Sequence, residues 1–404
     1  MKKLLEITLG IVTSIGGFLE VGSLATSAQA GAAFGFQLIW AIVLGTICLI
    51  FLVEMSGRMA AVSKHTIADA MRERFGYPYY TIPLVAMSLL GLLVLASELG
   101  GLCLALQLVT GVAFPWWAPL GAFGAWLLLW KGNFSIIEKG ASLLGLVTLV
   151  FFVAAWRLHP DWPRVASSAL PSMPRHESMR YWFIAVSIMG ASIAPYLLYF
   201  YSSGAVEDKW NESDVPINRI TATLGMSFGG LLSVAVLIVA ALVFVPRGIR
   251  VERFDQFALM LTPIMGRWGY YLFAASLAVA CFGAILEIAL SIAYLFAQGF
   301  GWNWSENARP RDAARFSLVY TITLLIGALI VAVGIDPLAL TLMSMALSAA
   351  LLPIAIVPFL LLMNDARYLG MHRNGWISNT VVCAIVGLAF VLALVSIPLE
   401  LLGS

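Results

Sequence analysis

Charged residues are scarce in this chain of 404 residues. They make up 11% of it, whereas hydrophobic residues make up 61%; a soluble domain has about 25% charged residues. Apolar runs recur along the whole sequence, and small residues extend each one to the roughly 20 that a bilayer-spanning helix needs. The alternating pattern of β-barrel strands is missing, so helices are the only spanning structure left. The sequence therefore predicts an all-α polytopic membrane protein.

Cysteine and histidine are also rare, with four of each. Every cysteine falls inside an apolar run and no C-x-x-C occurs, so we expect small packing residues rather than a disulfide or a thiolate metal site. The histidines all lie between the runs, which argues against a histidine cage within the membrane. No nucleophile–base set or phosphate-binding loop is present. We therefore expect no enzyme activity, no cofactor and no nucleic-acid partner.

Eleven spans are predicted, and the basic residues between them are unequally distributed over the two sides of the membrane. Fifteen of the 23 Lys and Arg residues fall on the side of the N-terminus. The positive-inside rule then places the N-terminus in the cytoplasm and, after an odd number of spans, the C-terminus outside. We expect an integral protein of a bacterial inner membrane. The predicted spans lie near 4–30, 36–57, 80–109, 115–130, 138–156, 180–202, 219–245, 264–299, 314–334, 337–363 and 376–401.

Two of these spans carry helix breakers at corresponding places. The first span contains Gly16, Gly17 and Gly22, and the sixth contains Gly190 and then Pro195. Proline removes a backbone donor and clashes with the preceding turn. Membrane helices tolerate single breakers as kinks. A matched pair five spans apart, however, indicates an inverted-repeat secondary transporter whose site lies where the helices unwind.

Three carboxylates lie deep in spans, without a basic partner nearby in sequence. They are Glu20 in the first span, Glu98 in the third and Glu287 in the eighth. A charge at this depth is unfavourable by a few kcal/mol, so it usually faces a cavity or a partner. A bound cation or a proton would satisfy these acids. The alternative for Glu98 and Glu287 is a protonated acid hydrogen-bonded to a neighbouring helix.

Four segments carry a resemblance to a known family, in the order GGFLEVGSLATSAQAG, HTIADAMRERFG, GASIAPYLLYFYSS and LLPIAIVPFLLLMNDARYLG. The first resembles the Asp-Pro-Gly-Asn helix break of the natural-resistance-associated macrophage protein (NRAMP) family of divalent-metal transporters. The third resembles that family's Met-Pro-His break. The second is expected to be a short amphipathic helix on the cytoplasmic side, capped by Thr66. The resemblance covers nearly the whole chain.

The resemblance implies a LeuT/APC-like fold of two inverted five-helix repeats plus one helix, working by alternating access. The first repeat would span residues 1–157 and the second residues 179–364. An external loop, 158–178, would join them, and residues 365–404 would add the last transmembrane helix. The oligomeric state is left open, and a monomer is compatible with the sequence.

The residues at the two breaks depart from the family pattern. The family's metal-binding Asp, its Pro and its Asn fall on Glu20, Val21 and Ser23. Its Met, the thioether that favours transition metals over Mg²⁺ and Ca²⁺, falls on Ala194, and its proton-linked His falls on Tyr196. Loss of the thioether resembles the family's magnesium-transporting branch, because a thioether contributes little to binding a hard ion.

Four further positions follow from the resemblance. A third-span Asp of the proton path falls on Leu95, while the acid one turn later is kept as Glu98. A tenth-span Gln near the ion falls on Met345. The direction of the Met345 side chain is unknown from sequence, so we do not assume that it supplies the missing thioether and interpret it as a packing residue. The backbone carbonyl ligand of the sixth span falls on Ala191.

The leading hypothesis is a secondary transporter of a divalent cation, Mg²⁺ or Mn²⁺. Glu20 would be its charged ligand, and Ser23 with the carbonyls of Ala191 and Ala194 would complete the site. Coupling to protons is left open, with Glu98 and Glu287 as candidate carriers. Tyr196 and Met345 are further candidates at the substrate site.

Two other hypotheses remain. The scaffold could carry a small organic solute or an anion, with Glu20 as a proton site, because half-helix N-termini suit an anionic group. A receptor or sensor without transport is the third, although the sequence offers it no soluble output domain.

Overall fold

A computed structural model describes residues 20–131 and 145–403, and these residues are almost entirely helical. The longer helices are α1 (Val21–Phe34), α2 (Ile39–Ser63), α3 (Ile67–Phe75), α4 (Tyr77–Thr110), α5 (Ala118–Lys131), α6 (Val150–Arg157), α7 (Ser178–Ser192), α8 (Pro195–Glu207), α9 (Val215–Phe244), α10 (Arg267–Phe300), α11 (Ala314–Ala332), α12 (Pro337–Met363) and α13 (Trp376–Gly403). Short helices at Trp162–Ser167, Thr262–Met265 and Ala366–Leu369 lie in the connections.

Within these two ranges, eight helical segments are long and apolar enough to cross a membrane. They correspond to the second, third and sixth to eleventh predicted spans, with α7 and α8 together forming the sixth. The predicted fourth span is the 14-residue helix α5. Most of the first span and the start of the fifth lie outside the described residues, so the count of eleven stays a prediction.

The long helices surround α1. This helix packs against α9, α7, α12 and α4, and every residue from Val21 to Gly31 is buried. Helices α4 and α10 form another extensive contact, as do α7 and α12. The start of α1 therefore lies in the interior of the bundle, surrounded by the helices that carry the other deep acids.

The short amphipathic helix is confirmed as α3. The hydroxyl oxygen of Thr66 accepts a hydrogen bond from the backbone N–H of Asp69 (3.2 Å), as expected for an N-cap. Ile67 and Met71 are buried. At the far end of α3, the Arg74 guanidinium lies 2.8 Å from the carboxylate of Asp365. Hydrogen bonds from Arg367 and Arg74 hold the pKa of Asp365 well below its usual range.

The cysteines only partly fit their predicted packing role. Cys48, Cys103 and Cys281 are buried between helices, whereas Cys383 is exposed on α13. The prediction of a packing residue is therefore wrong for Cys383.

Candidate functional site

The described part of the first span begins at Glu20. The backbone of this residue is extended (φ −100°, ψ 171°), and α1 begins at the next residue. The prediction that Gly22 belongs to the break is wrong, because Gly22 lies within α1. Gly16 and Gly17 lie outside the described residues. Glu20 thus stands at the N-terminal end of the buried helix α1 and is itself 2% exposed.

Glu98 on α4 provides the cap that Glu20 does not. The backbone N–H of Val21 donates to both carboxylate oxygens of Glu98, at 3.0 and 3.1 Å, whereas the Glu20 side chain makes no cap bond. A carboxylate is favourable at a helix N-terminus, where the first N–H groups have no intrahelical partner. Glu98 therefore ties the third span to the break in the first. Its predicted part in proton movement stays a prediction.

The break in the sixth span lies at Ile193 and Ala194, directly before Pro195 as the sequence predicts, whereas the prediction that Gly190 belongs to the break is wrong because Gly190 lies within α7. Helix α7 ends at Ser192 and α8 begins at Pro195. Proline is favoured at the first helical position because its missing N–H would have no partner there, and it keeps the preceding residue extended. The backbone of Ala194 is accordingly out of the helix (φ −56°, ψ 109°), and its carbonyl accepts a bond from the Leu197 N–H at 3.2 Å.

The two breaks meet through Tyr196. Its hydroxyl donates to Oε2 of Glu20 at 2.6 Å, a buried contact between residues 176 positions apart. Helix α10 supports this tyrosine, because the Ser291 hydroxyl donates to the Tyr196 carbonyl at 2.9 Å. Glu287 lies one turn before Ser291 on α10. Tyr196 therefore links the sixth span to Glu20 of the first, and Ser291 links the eighth span to Tyr196.

Two oxygens at this convergence are buried without a hydrogen-bond partner among the described residues. They are Oε1 of Glu20 and the hydroxyl of Ser23. Buried polar atoms are nearly always hydrogen-bonded, so each such exception calls for an explanation. Both atoms belong to residues that the sequence predicts as cation ligands.

A small cavity of about 10 Å³ opens beside Glu20, room for about one water molecule. Of the residues predicted at the substrate site, Glu20, Ala194, Tyr196 and Met345 line it, whereas Ser23 and Ala191 are buried nearby without lining it. The remaining lining residues are mostly apolar: Met87, Leu90, Gly91, Val94, Gly190, Pro195, Ser291, Ile292, Leu295 and Ser348.

Sequence reasoning did not single out two polar residues of this cavity, Ser291 and Ser348. Ser291 lies one helical turn after Glu287, and this spacing was the available signal. The hydroxyl of Ser348 donates to the carbonyl of Gly190 at 3.2 Å. Both serines thus fix the backbone on either side of the sixth-span break.

The donors near the cavity are of mixed type. No cluster of three or more His, Cys, Asp or Glu side chains that could hold a metal occurs within residues 20–131 and 145–403. A cation bound here would therefore rely on one carboxylate oxygen together with hydroxyl, carbonyl and thioether groups. Oxygen donors suit hard dications, and a thioether adds affinity for softer ones.

Solved structures of transporters share this arrangement of helices. A manganese transporter from Eremococcus coleocola, in complex with an aromatic bis-isothiourea compound, aligns with a TM-score of 0.82 and 20% identity over 96% of this chain and 85% of that one. Mhp1, a nucleobase-cation-symport-1 family transporter, aligns with a TM-score of 0.62 and 17% identity, over 96% of this chain and 89% of that one.

MhsT in complex with L-phenylalanine aligns with a TM-score of 0.61 and 13% identity, over 96% of this chain and 97% of that one. At these identities the likeness shows the fold, and the predicted LeuT-like all-helical fold is confirmed. The residue boundaries of the two repeats stay a prediction. The sequence profile described as "Natural resistance-associated macrophage protein-like" matches residues 10–398. This chain therefore belongs to the natural resistance-associated macrophage protein-like family of membrane proteins.

Proposed function

We propose that this protein is a secondary transporter of divalent metal cations, with Mg²⁺ and Mn²⁺ as the candidate substrates. One observation carries the proposal: the buried carboxylate of Glu20 lies where the start of α1 meets the break between α7 and α8, and one of its oxygens has no hydrogen-bond partner among the described residues. A buried carboxylate without a basic partner is satisfied by a cation or a proton. Membership of the family and the manganese transporter of the same fold favour the cation.

The proposed binding set consists of Glu20, Ser23 and the backbone carbonyls of Ala191 and Ala194. Ala191 lies in the last turn of α7, where carbonyls lose their intrahelical partners. Together with water, these oxygens would make the hard-donor shell that Mg²⁺ and Mn²⁺ accept.

We further propose that coupling to protons is weakened or lost. Tyr196 stands where the family has a histidine, and its hydroxyl is engaged with Glu20. A phenol does not titrate near neutral pH as an imidazole does. Glu98 and Glu287 remain the candidate proton carriers. The proposed orientation keeps the N-terminus in the cytoplasm and the C-terminus outside.

Uptake by proteoliposomes tests the assignment of Glu20. Purified protein is reconstituted, and Mg²⁺ and Mn²⁺ entry is recorded for the wild type, Glu20→Gln and the control Glu252→Gln, which changes an exposed acid far along the chain. We expect uptake by the wild type and the control, and none above empty liposomes for Glu20→Gln. Equal uptake by all three proteins would refute the role of Glu20.

The same preparation tests the alternative of a non-metal solute. Calorimetry that detects no binding of any divalent ion to the wild type would favour it. One feature of the site argues against an anionic solute, however. The N-terminus of α1, which would receive the anion, already has its first N–H bound to the carboxylate of Glu98, with Glu20 beside it. That N–H is therefore already occupied and does not face an anion.

A further inference from the structure

A second cavity, of about 320 Å³, lies where the end of α2 and helix α3 meet the short helix Ala366–Leu369. It is far larger than the cavity of about 10 Å³ beside Glu20. Small-molecule sites have volumes of about 300–1,000 Å³, so this cavity has room for a polyatomic group. Its polar lining residues are Ser63, His65, Glu73, Arg74, Arg367 and Tyr368. Most of them belong to two of the segments that carry the family resemblance, and the proposed ion site uses none of them.

Two guanidinium groups of this lining are held side by side by one carboxylate. Nε of Arg74 lies 2.8 Å from Oδ2 of Asp365. Arg367 donates to both oxygens of the same carboxylate, from Nε at 3.2 Å and from Nη2 at 2.9 Å. A guanidinium has five N–H groups, so these bonds leave further donors on both arginines. Asp365 therefore aligns two cations at the cavity without using up their donors.

His65 adds a third cation to the lining. Its Nδ1 lies 2.7 Å from the carbonyl oxygen of Ser63, and its Nε2 lies 3.2 Å from the carboxylate of Glu73. Both partners accept hydrogen bonds, and an imidazole donates from both nitrogens only when it is protonated. With His65 protonated, three cations face the two carboxylates of Glu73 and Asp365, and the cavity has an excess of positive charge.

This lining suits an anion better than a second metal ion. Among the described residues that line the cavity, Glu73 supplies the one carboxylate, and His65 already engages it. Two neighbouring guanidinium groups repel a dication. The same groups form paired N–H···O bonds with a phosphate, which offers several acceptor oxygens at once.

One wall of the cavity adjoins the membrane–water interface. The guanidinium carbon of Arg74 lies 5.7 Å from the centroid of the Phe75 ring, and the rings of Phe75 and Tyr79 are 5.2 Å apart. Tyr79 is exposed in the first turn of α4, a helix long and apolar enough to cross a membrane. Exposed tyrosines at the end of a spanning helix lie at the level of the lipid headgroups. The anions within reach of Arg74 at that level are lipid phosphates.

We propose that this cavity binds the phosphate of an anionic phospholipid headgroup, with Arg74 and Arg367 as its charged donors. Basic pockets between transmembrane helices on the cytoplasmic side are typical sites for such headgroups, and the proposed orientation places this cavity on that side. A bound phosphate would bridge α3 and the connection between α12 and α13. This site is separate from Glu20 and does not depend on the proposed transport of cations.

Calorimetry on the purified full chain in detergent tests this site with three probes. They are short-chain phosphatidylglycerol below its critical micelle concentration, phosphatidylcholine of the same chain length, and inorganic phosphate. The variants are Arg74→Gln and Arg367→Gln. The matched control is Arg311→Gln, which removes the same charge from an exposed position on the same proposed face. Because the Arg367 side chain is 66% exposed, its replacement leaves the packing intact, and Arg367→Gln decides the test even where Arg74→Gln folds poorly.

We expect the wild type to bind phosphatidylglycerol more tightly than phosphatidylcholine. Each arginine variant should weaken phosphatidylglycerol binding about fivefold, the contribution of one basic side chain at an anionic lipid surface. Arg311→Gln should leave it unchanged. Phosphatidylglycerol binding that is as tight in Arg367→Gln as in the wild type overturns the proposal, and so does equal binding of the two lipids by the wild type.

Two further outcomes also count against the lipid site. A loss of affinity in Arg311→Gln as large as in Arg367→Gln would mean general attraction to the basic face, and it overturns the assignment to this cavity. Inorganic phosphate that binds as tightly as phosphatidylglycerol, and weakens in the same two variants, would make a soluble phosphate the ligand and overturns the lipid source. None of these outcomes bears on Glu20, because metal uptake by Glu20→Gln tests the proposed function separately.

Discussion

Replacing Glu98 tests whether its carboxylate, on the third span, stabilises the start of α1. Glu98 is fully buried, and its two oxygens share the single N–H of Val21. Leucine at this position would remove the acceptor and leave that N–H buried at the end of α1. Glutamine would keep a carbonyl oxygen that can still accept the bond.

The magnitude follows from counting this contact as one hydrogen bond. A hydrogen bond to a charged group contributes about 1.5–3 kcal/mol, and leaving a buried donor unpaired costs about 1–3 kcal/mol. We therefore expect Glu98→Leu to lower the free energy of unfolding by about 2 kcal/mol. Glu98→Gln keeps a neutral bond, so its expected loss is about 1 kcal/mol.

Reversible unfolding in mixed micelles, followed by tryptophan fluorescence, measures both losses. The expected order of stability is wild type, then Glu98→Gln, then Glu98→Leu. Wild-type stability in Glu98→Leu would mean that the Val21 N–H has another partner and that the cap is unimportant. Equal losses in the two variants would show that the charge matters rather than the acceptor. Glu98→Gln that folds but loses a proton-dependent part of uptake would support the predicted proton role.

Two further substitutions test the packing and the chemistry of the breaks. Gly190→Ala places a methyl group against the Met345 carbonyl and should lower the free energy of unfolding by about 3 kcal/mol in the same assay. The control Gly204→Ala, whose new methyl group would meet nothing within 4 Å, should not lower it. Similar results for both variants would contradict the close approach of α7 and α12. Tyr196→Phe frees the second oxygen of Glu20, so Mn²⁺ affinity by calorimetry should rise about 2- to 10-fold. Weaker binding would instead make the tyrosine hydroxyl a ligand.

The sixth-span break could be predicted from sequence because its cause is local. Pro195 removes its own donor and excludes Ala194 from the helix, and no distant contact is needed. The first-span break was predicted through glycines, and for Gly22 this was wrong. Gly22 is helical, and the contact it permits is with Met345 on another helix. A close approach between segments so distant in sequence leaves no trace in the local pattern.

For the buried acids, too, the sequence identifies the residue, whereas only the structure identifies its hydrogen-bond partner. A lone carboxylate in an apolar run is conspicuous, so Glu20 and Glu98 could be identified from their surroundings in sequence. That Glu98 caps α1, and that Tyr196 donates to Glu20, depends on how three helices come together. Tyr196 was reached through the family resemblance, and its contact with Glu20 only through the structure.

The spacing of hydroxyl residues in the tenth span could have predicted that Met345 lies on the buried face of this helix. Thr341, Ser344 and Ser348 are hydroxyl residues spaced by three and four positions in an otherwise apolar helix. Such residues face the protein interior rather than lipid, and all three are buried. Met345 lies four residues after Thr341 and three before Ser348, so helical periodicity places it on this buried face. Met343, two residues before Met345, falls outside this stripe and is only half-buried.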